Sequence, residues 1–306
     1  MTMADSRISA PALSPLTSKD LGLYGLTVFS WGFSWIAMKG QVANVAPEVS
    51  VFWRFVLAAS VMLGWSLIRR ERLAFPLRTH LRFAALGLFI FSTNFTLFYY
   101  GAKYLPSGLL AVVFSLASVF NLILGVILFR QRPKLIILGA GLIGFTGIAL
   151  MFWPQIAGAE LNFDALLGLA LCTVGTLSFC LGNMVSTSNQ KAGISITSAT
   201  TWGMIYGMAL LGTFSLLRGD SFAVDLTLTY LGSLAYLSII ASVLAFASYL
   251  TLLGRIGPAR AGYSTVIFPV VALTVSTIFE GYVWTFAALL GLVFVIAGNV
   301  IMLRSR

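Results

Sequence analysis

What this 306-residue chain has least of is charge. Asp, Glu, Lys and Arg make up 9% of it against 59% hydrophobic residues, where a soluble domain carries about 25% charge. A chain this apolar, with a mean hydropathy of +0.96, cannot hide its surface from water, so lipid is its solvent. It holds one histidine, His80, in a basic loop, and two cysteines, Cys172 and Cys180, in one apolar run. No set of metal ligands can be assembled from these. Roughly two helical turns also separate the thiols too widely for a disulfide within a straight helix. There is no phosphate-cradling glycine loop, no carboxylate pair and no zinc-ligand spacing, so neither metal nor cofactor is expected. An enzyme embedded in the membrane would have no catalytic residues to work with.

Acidic residues and histidine are missing from the middle of every apolar run. Proton-coupled carriers keep a titratable side chain at membrane depth. A proton relay therefore has no residue here unless Glu280, at the edge of a run, serves. The formal charge of +10 sits between the apolar runs and not in one patch. That is the distribution of cytoplasmic loop charge and not of nucleic-acid binding.

What is there is a succession of apolar runs. Ten approach the ~20 residues that a membrane span needs, at 21–38, 50–68, 81–102, 106–129, 135–153, 165–186, 198–217, 229–253, 258–279 and 283–303. The fold class expected is all-α integral membrane. Residues 1–20 form a cytoplasmic tail, 21–153 a first five-helix unit, 154–164 an external linker and 165–303 a second unit. The tail shows no cleavage site after an apolar core, so the first run is read as a retained helix. With the N-terminus inside, fifteen basic residues fall on the cytoplasmic side and three, Lys39, Lys103 and Arg218, outside. Glu48, Glu160, Asp164, Asp220, Asp225 and Glu280 join the outer side. Both termini are then cytoplasmic.

The halves share a skeleton. Within 99–132, a helix ends at Lys103, Pro106 opens the next, and that one closes on Phe129-Arg130. Within 251–282, Arg255, Pro258 and Phe279-Glu280 play the same parts. Five helices per unit invert the second copy. The exchange of Arg130 for Glu280 gives each helix end the sign its side favours.

Several side chains could carry function. Trp31, Ser34 and Met38 share a face of the first run, and Gly32 permits close approach or a bend. Trp31 lies away from the interfaces where aromatic belts sit, as a cavity wall or as packing; Trp35 reads as packing. Arg54 is the one charge well inside a run, about a turn from the outer end. It snorkels, bonds a neighbouring loop, or serves as a gate or a contact for a substrate carboxylate. The third run offers Asn94 and Tyr99. The fourth offers Ala111, Ser115 and Ser118 on one face, with Asn121 a turn further. The sixth offers Ser178 and Asn183, the seventh Trp202 and Tyr206, the eighth Ser242 and Tyr249, and the ninth Tyr263 before a kinking Pro269. Serine and glycine in membrane helices commonly mark helix contacts, whereas buried asparagine is costlier. Gly139, Gly141, Gly144 and Gly147, with Gly291 and Gly298, form ladders expected in scaffold helices. Monomer and homodimer both stay open.

With these residues in view, the chain resembles the drug/metabolite transporter superfamily, specifically carriers with two EamA repeats, over nearly all of residues 20–303. The resemblance rests on the Trp31-Gly32 helix leading to Arg54-Phe55, on Pro258 to Phe279-Glu280, and on the helix with Gly291 and Gly298. It looks nearest to YddG-type bacterial exporters of aromatic and other neutral amino acids. It departs from the pattern at Phe129-Arg130, where Gly-Glu is usual, and at Val174-Gly175, which stands opposite Trp31-Gly32. The resemblance implies ten transmembrane helices as two inverted repeats in the bacterial inner membrane. Helices 1, 3, 4, 6, 8 and 9 would wall a central cavity. The expected activity is export of small neutral metabolites, aromatic and apolar amino acids first, by alternating access, facilitative or by exchange. Substrate contacts are expected from Trp31, Ser34, Asn94, Tyr99, Ser115, Ser178, Asn183, Trp202, Tyr249 and Tyr263. Arg54, Gly32, Pro106, Pro258 and Pro269 take gating or structural roles. A multidrug or nucleotide-sugar-like carrier of the same superfamily is the alternative, and a membrane-embedded enzyme a distant one. The expected partners are a small-molecule substrate and the lipid bilayer, with no nucleic acid.

Overall fold

The computed structural model of the chain describes residues 16–129, 135–156, 162–249, 251, 252, 255 and 264–304. Among the described residues every regular element is helical and no strand occurs. In chain order they are α1 (Ser18–Lys39), α2 (Pro47–Ile68), α3 (Leu77–Gly101), α4 (Ser107–Leu128), α5 (Leu135–Ile156), α6 (Phe163–Lys191), α7 (Ile196–Arg218), α8 (Leu228–Tyr249), α9 (Ser264–Glu280) and α10 (Phe286–Arg304). Seven of them, α1 to α4 and α6 to α8, are long and apolar enough to cross a membrane; α5, α9 and α10 contain shorter apolar stretches. A helix of 22 residues reaches about 33 Å, the thickness of a bilayer core.

Polar side chains set the ends of these helices, because lipid leaves no water to satisfy a stray N–H. Thr17 and Asp20 form a reciprocal capping box, with Thr17 N–H donating to Asp20 Oδ2 at 2.9 Å. It starts α1 ahead of the apolar run that announced it. Asn162 caps α6 through Ala165 N–H at 3.1 Å, and Ser195 caps α7 through Ser198 N–H at 3.1 Å. Gly219, at φ 74°, closes α7 in the left-handed conformation that glycine adopts without strain.

Three expectations need correcting. The fourth run is not one uninterrupted helix: it is helical over Ser107–Phe114 and again over Ala117–Phe129, with Ser115 and Leu116 in a turn between. Ser115 Oγ donates to Val112 O at 2.6 Å there, a local bond of the kind that bends helices. The face proposed for Ala111, Ser115 and Ser118 is therefore broken. Pro154 does not begin a linker but lies inside α5. Lastly, α6 runs on to Lys191, beyond the expected end near residue 186.

A feature absent from the sequence reading is a widened, π-helical segment in the middle of two helices. It spans Gly87–Asn94 in α3 and Tyr236–Leu244 in α8. These are the third helices of the two halves. The packing repeats the same relation: α2 lies on α7, α4 on α9 and α5 on α10. The larger of the other contacts between the halves come in matched pairs. As α1 lies on α9, so α6 lies on α4; as α3 lies on α6, so α8 lies on α1; as α3 lies on α7, so α8 lies on α2. Exchanging the halves leaves this pattern unchanged, which is what two copies of one five-helix unit give when packed about a two-fold axis.

The α5–α10 contact shows how close the backbones come. A methyl on Gly147 would sit 2.5 Å from Gly291 O and 2.7 Å from Val295 N; one on Gly298 would sit 2.6 Å from Ala140 O. The ladder is uneven, however: a methyl on Gly139 meets nothing within 4 Å. Gly147→Ala and Gly291→Ala are therefore expected to destabilise the protein by about 1–3 kcal/mol through overpacking. Gly139→Ala should leave it unchanged or slightly more stable. Thermal unfolding in detergent checks the contrast, and equal effects at all three positions would contradict it.

Candidate functional site

Polar contacts gather at both ends of the bundle; the end where α1, α3, α7 and α9 finish, here the Lys39 end, holds two carboxylate-centred clusters. Glu280, the last residue of α9, accepts from Ser107 N–H at 2.9 Å, from Ser107 Oγ, and from Ser276 Oγ at 2.7 Å. Ser107 is the first residue of α4, whose N-cap Pro106 offers no side-chain cap, so a carboxylate from the other half caps that helix. Lys39 Nζ lies 3.9 Å from Glu280 Oε1 and donates to Ala102 O and Leu105 O at 2.7 and 3.1 Å. One cluster thus ties α1, the α3–α4 turn, α4 and α9.

A second cluster forms around Glu48. The sequence reading set this residue on the outer side; it is fully buried in the first turn of α2. It accepts from Tyr100 Oη at 2.9 Å and from Arg218 Nη1. Its signal in the sequence was the preceding Pro47, which opens the helix and so turns the carboxylate towards exposed N–H groups. Nearby, Asn44 Nδ2 donates to Asp225 Oδ2 at 2.9 Å, which with the Thr227 N–H holds the Asp225 carboxyl below its ordinary range.

At mid-bundle the widened turns organise the polar groups. A π segment displaces the regular hydrogen-bond ladder and leaves carbonyls open to other donors. In α8, Ala241 O accepts from Trp31 Nε1 of α1 at 3.2 Å; in α3, Phe89 O accepts from Ser178 Oγ of α6 at 2.8 Å. Each half thus reaches with its first helix into the widened turn of the other. Trp31 is half-buried, its ring 5.3 Å from that of Tyr249 and 5.6 Å from that of Phe246. Ser34 donates back to Trp31 O at 2.7 Å, and Gly32 is buried beside them. Trp35 packs between Phe98 and Phe114.

Arg54 neither snorkels nor bonds a loop. Only 3% exposed, it donates from Nε and Nη2 to Ser242 Oγ on α8 at 3.1 and 3.0 Å. Its guanidinium lies 4.3 Å from the centre of the Phe95 ring and close to the Tyr99 hydroxyl. That hydroxyl donates to Gln41 Oε1 at 2.6 Å.

The remaining candidates occupy separate contacts. Asn94 is buried on α3, against Gly175 of α6, and its Oδ1 has no hydrogen-bond partner. Asn183 Nδ2 donates to Asn121 Oδ1 at 3.3 Å. Ser115 lines a narrow crevice with Gly144, Gly298 and Asn299, between α4, α5 and α10. Trp202 belongs to the opposite end of the bundle, where its Nε1 donates to Leu73 O at 3.0 Å and its ring meets His80 at 4.6 Å. Tyr206 Oη completes that group 3.0 Å from His80 Nδ1. Pro269 is buried within α9. Tyr263, Pro258 and Arg130 lie outside the described residues.

Comparison with known proteins agrees with this architecture. The EamA-like transporter family matches residues 22–153 and again residues 166–304, one match for each half. Protein PagO of Salmonella typhimurium is 25% identical over 303 residues, covering 93% of this chain and 92% of its own. A "probable amino-acid metabolite efflux pump" of Escherichia coli is 24% identical over 302 residues, covering 95% and 98%. A protein of solved crystal structure superposes with a TM-score of 0.67 at 14% identity, over 94% of this chain and 96% of that one; this likeness concerns the fold.

The Glu280 cluster holds the Lys39 end shut by one carboxylate, so removing its charge should loosen that end. With spin labels at the exposed positions Lys103 and Val283, Glu280→Gln is expected to lengthen and broaden the distance distribution. It should also lower stability by about 1–3 kcal/mol. An unchanged distribution would show that the cluster does not close this end.

Proposed function

The chain belongs to the EamA-like transporter family, and from that premise we propose that it exports small neutral metabolites, aromatic and other apolar amino acids foremost. The reading takes the bundle as ten spans in two inverted repeats, both termini cytoplasmic, in a bacterial inner membrane. The Lys39 end then faces outward and is closed in this conformation. The observation that carries the mechanism is the reciprocal bonding of Trp31 and Ser178 into the widened turns of the opposite halves. Contacts between halves that can be broken and remade at mid-depth are what alternating access by rocking requires.

The substrate class draws support from the E. coli relative named for amino-acid metabolite efflux, and from the aromatic surround of Trp31, Phe246 and Tyr249. Trp31, Tyr99, Tyr249 and Tyr263 are proposed to enclose the apolar side chain. Ser34, Asn94, Ser178 and Asn183 are proposed to bond the polar end as the cavity opens; Trp202 and Ser115 belong to other contacts. Exchange or facilitated diffusion is favoured, because Glu48 and Glu280 are committed to closing contacts.

Purified protein in liposomes preloaded with unlabelled phenylalanine should accumulate labelled phenylalanine by counterflow. Trp31→Phe keeps the ring but removes the bond to Ala241 O. It is expected to slow exchange roughly 5-fold, the worth of about 1 kcal/mol. Flux of a sugar or nucleotide with none of any amino acid would overturn the substrate assignment.

A further inference from the structure

We propose that Arg54 is the anchor for a carboxylate on the transported solute. This rests on reading the chain as a metabolite carrier and narrows that reading: the solute bears an acid group, not merely an apolar body.

An arginine buried inside a membrane helix is costly and is retained where it does something. Among the described residues no carboxylate forms an ion pair with Arg54. On the same side of the bundle, Glu48 is bound to Arg218 and Glu280 to Lys39. The guanidinium carries five N–H donors in a planar fork. Two of its nitrogens share one serine oxygen, and the faces of Phe95 and Phe55 cover part of it. With the Nε–Nη2 edge turned to Ser242 and the Tyr99 hydroxyl alongside, the Nη1 side of the fork is what remains for a carboxylate.

Unspent polar atoms lie on the elements around it. Ser238, one turn before Ser242 on α8, is fully buried and its Oγ has no partner. Gln41 gives its oxygen to Tyr99 but its buried Nε2 bonds nothing. Asn94, next to Phe95, holds a buried Oδ1 that accepts nothing, a fit for an ammonium.

The other half packs its equivalent helices without a charge at this place. The contact equivalent to α2 on α8 is α7 on α3. There a methyl on Gly87 would sit 2.7 Å from Gly207 N and 2.9 Å from Gly203 O. That partner contact holds through bare backbone with no charge. The fold therefore does not demand an arginine at its counterpart.

Binding of 3-phenylpropionate and of its neutral amide, 3-phenylpropionamide, to the full chain in nanodiscs tests this by calorimetry. The wild type is expected to favour the acid at least 10-fold. Arg54→Gln should abolish the preference and Arg54→Lys should reduce it, the lysine variant serving if the glutamine variant does not fold. Equal affinity for the two, binding of neither, or a preference that survives in the variants overturns the anchor. So does a loss of stability without a change in preference, which would make Arg54 a rivet between α2 and α8. Counterflow of amino acids is measured in parallel. A carboxylate preference without amino-acid flux sinks the amino-acid reading alone, and flux without the preference sinks the anchor alone.

Discussion

The widened turns of α3 and α8 are the interaction on which the rest of the structure hangs. In a bilayer a backbone carbonyl that loses its helical partner finds no water to replace it. It must be met by another part of the chain. Phe89 O and Ala241 O are met from the opposite half, by Ser178 and Trp31. The disturbance of one helix thereby becomes an attachment between two units. Because each unit supplies both a widened turn and the donor for the other's, the attachment is reciprocal, and the two-fold pattern of packing follows.

Not all contacts between the halves are alike. The α2–α7 pair is fastened at both ends: Ser66 meets Thr201 at 2.8 Å near one, and Glu48 pairs with Arg218 at the other. The α5–α10 pair brings glycine backbones together with no room for a methyl group. Neither can slide without clashes or lost hydrogen bonds. The contact of α1 and α4 with α9, by contrast, is closed by side chains of the Glu280 cluster, and side chains can let go without unravelling a helix. A rocking motion turns about contacts that do not break, which casts α2, α7, α5 and α10 as the frame and α1, α4 and α9 as moving parts.

The sequence made some of this legible and hid the rest for physical reasons. Most helices could be located because lipid imposes apolarity over about 20 residues, and the repeat because Pro106 and Pro258 recur at matching places in the sequence. The widened turns could not be read, since neither Gly87–Asn94 nor Tyr236–Leu244 carries a glycine–proline signal or a shared motif. Arg54 was recognisable as a misplaced charge, but its partner Ser242 lies 188 residues away, and no local pattern encodes that meeting. The burial of Glu48 was hidden because its partners Tyr100 and Arg218 lie 52 and 170 residues away. A carboxylate at a helix N-terminus with Arg218 alongside can be buried where a lone one could not. Ser115 passed as an ordinary helical serine because a turn inside an apolar run leaves no trace in composition.

The halves share their contacts but not their chemistry, and the difference has a direction. One first helix reaches across with an indole, and the other with a hydroxyl, from Ser178, four residues beyond the Val174 that stands opposite Trp31; one second helix presents a guanidinium where the other presents glycine. On α8 the two unusual groups come together. Trp31 bonds the carbonyl of residue 241 and Arg54 the hydroxyl of residue 242, adjacent residues of the widened turn. A two-fold symmetric site would hold a solute equally well in either of two orientations. A site with an aromatic wall and a cation set at adjacent residues of one helix holds a solute with an apolar body and an acid end in only one. On the proposed reading, the loss of symmetry between the repeats is what turns a shared scaffold into a site with a preferred orientation.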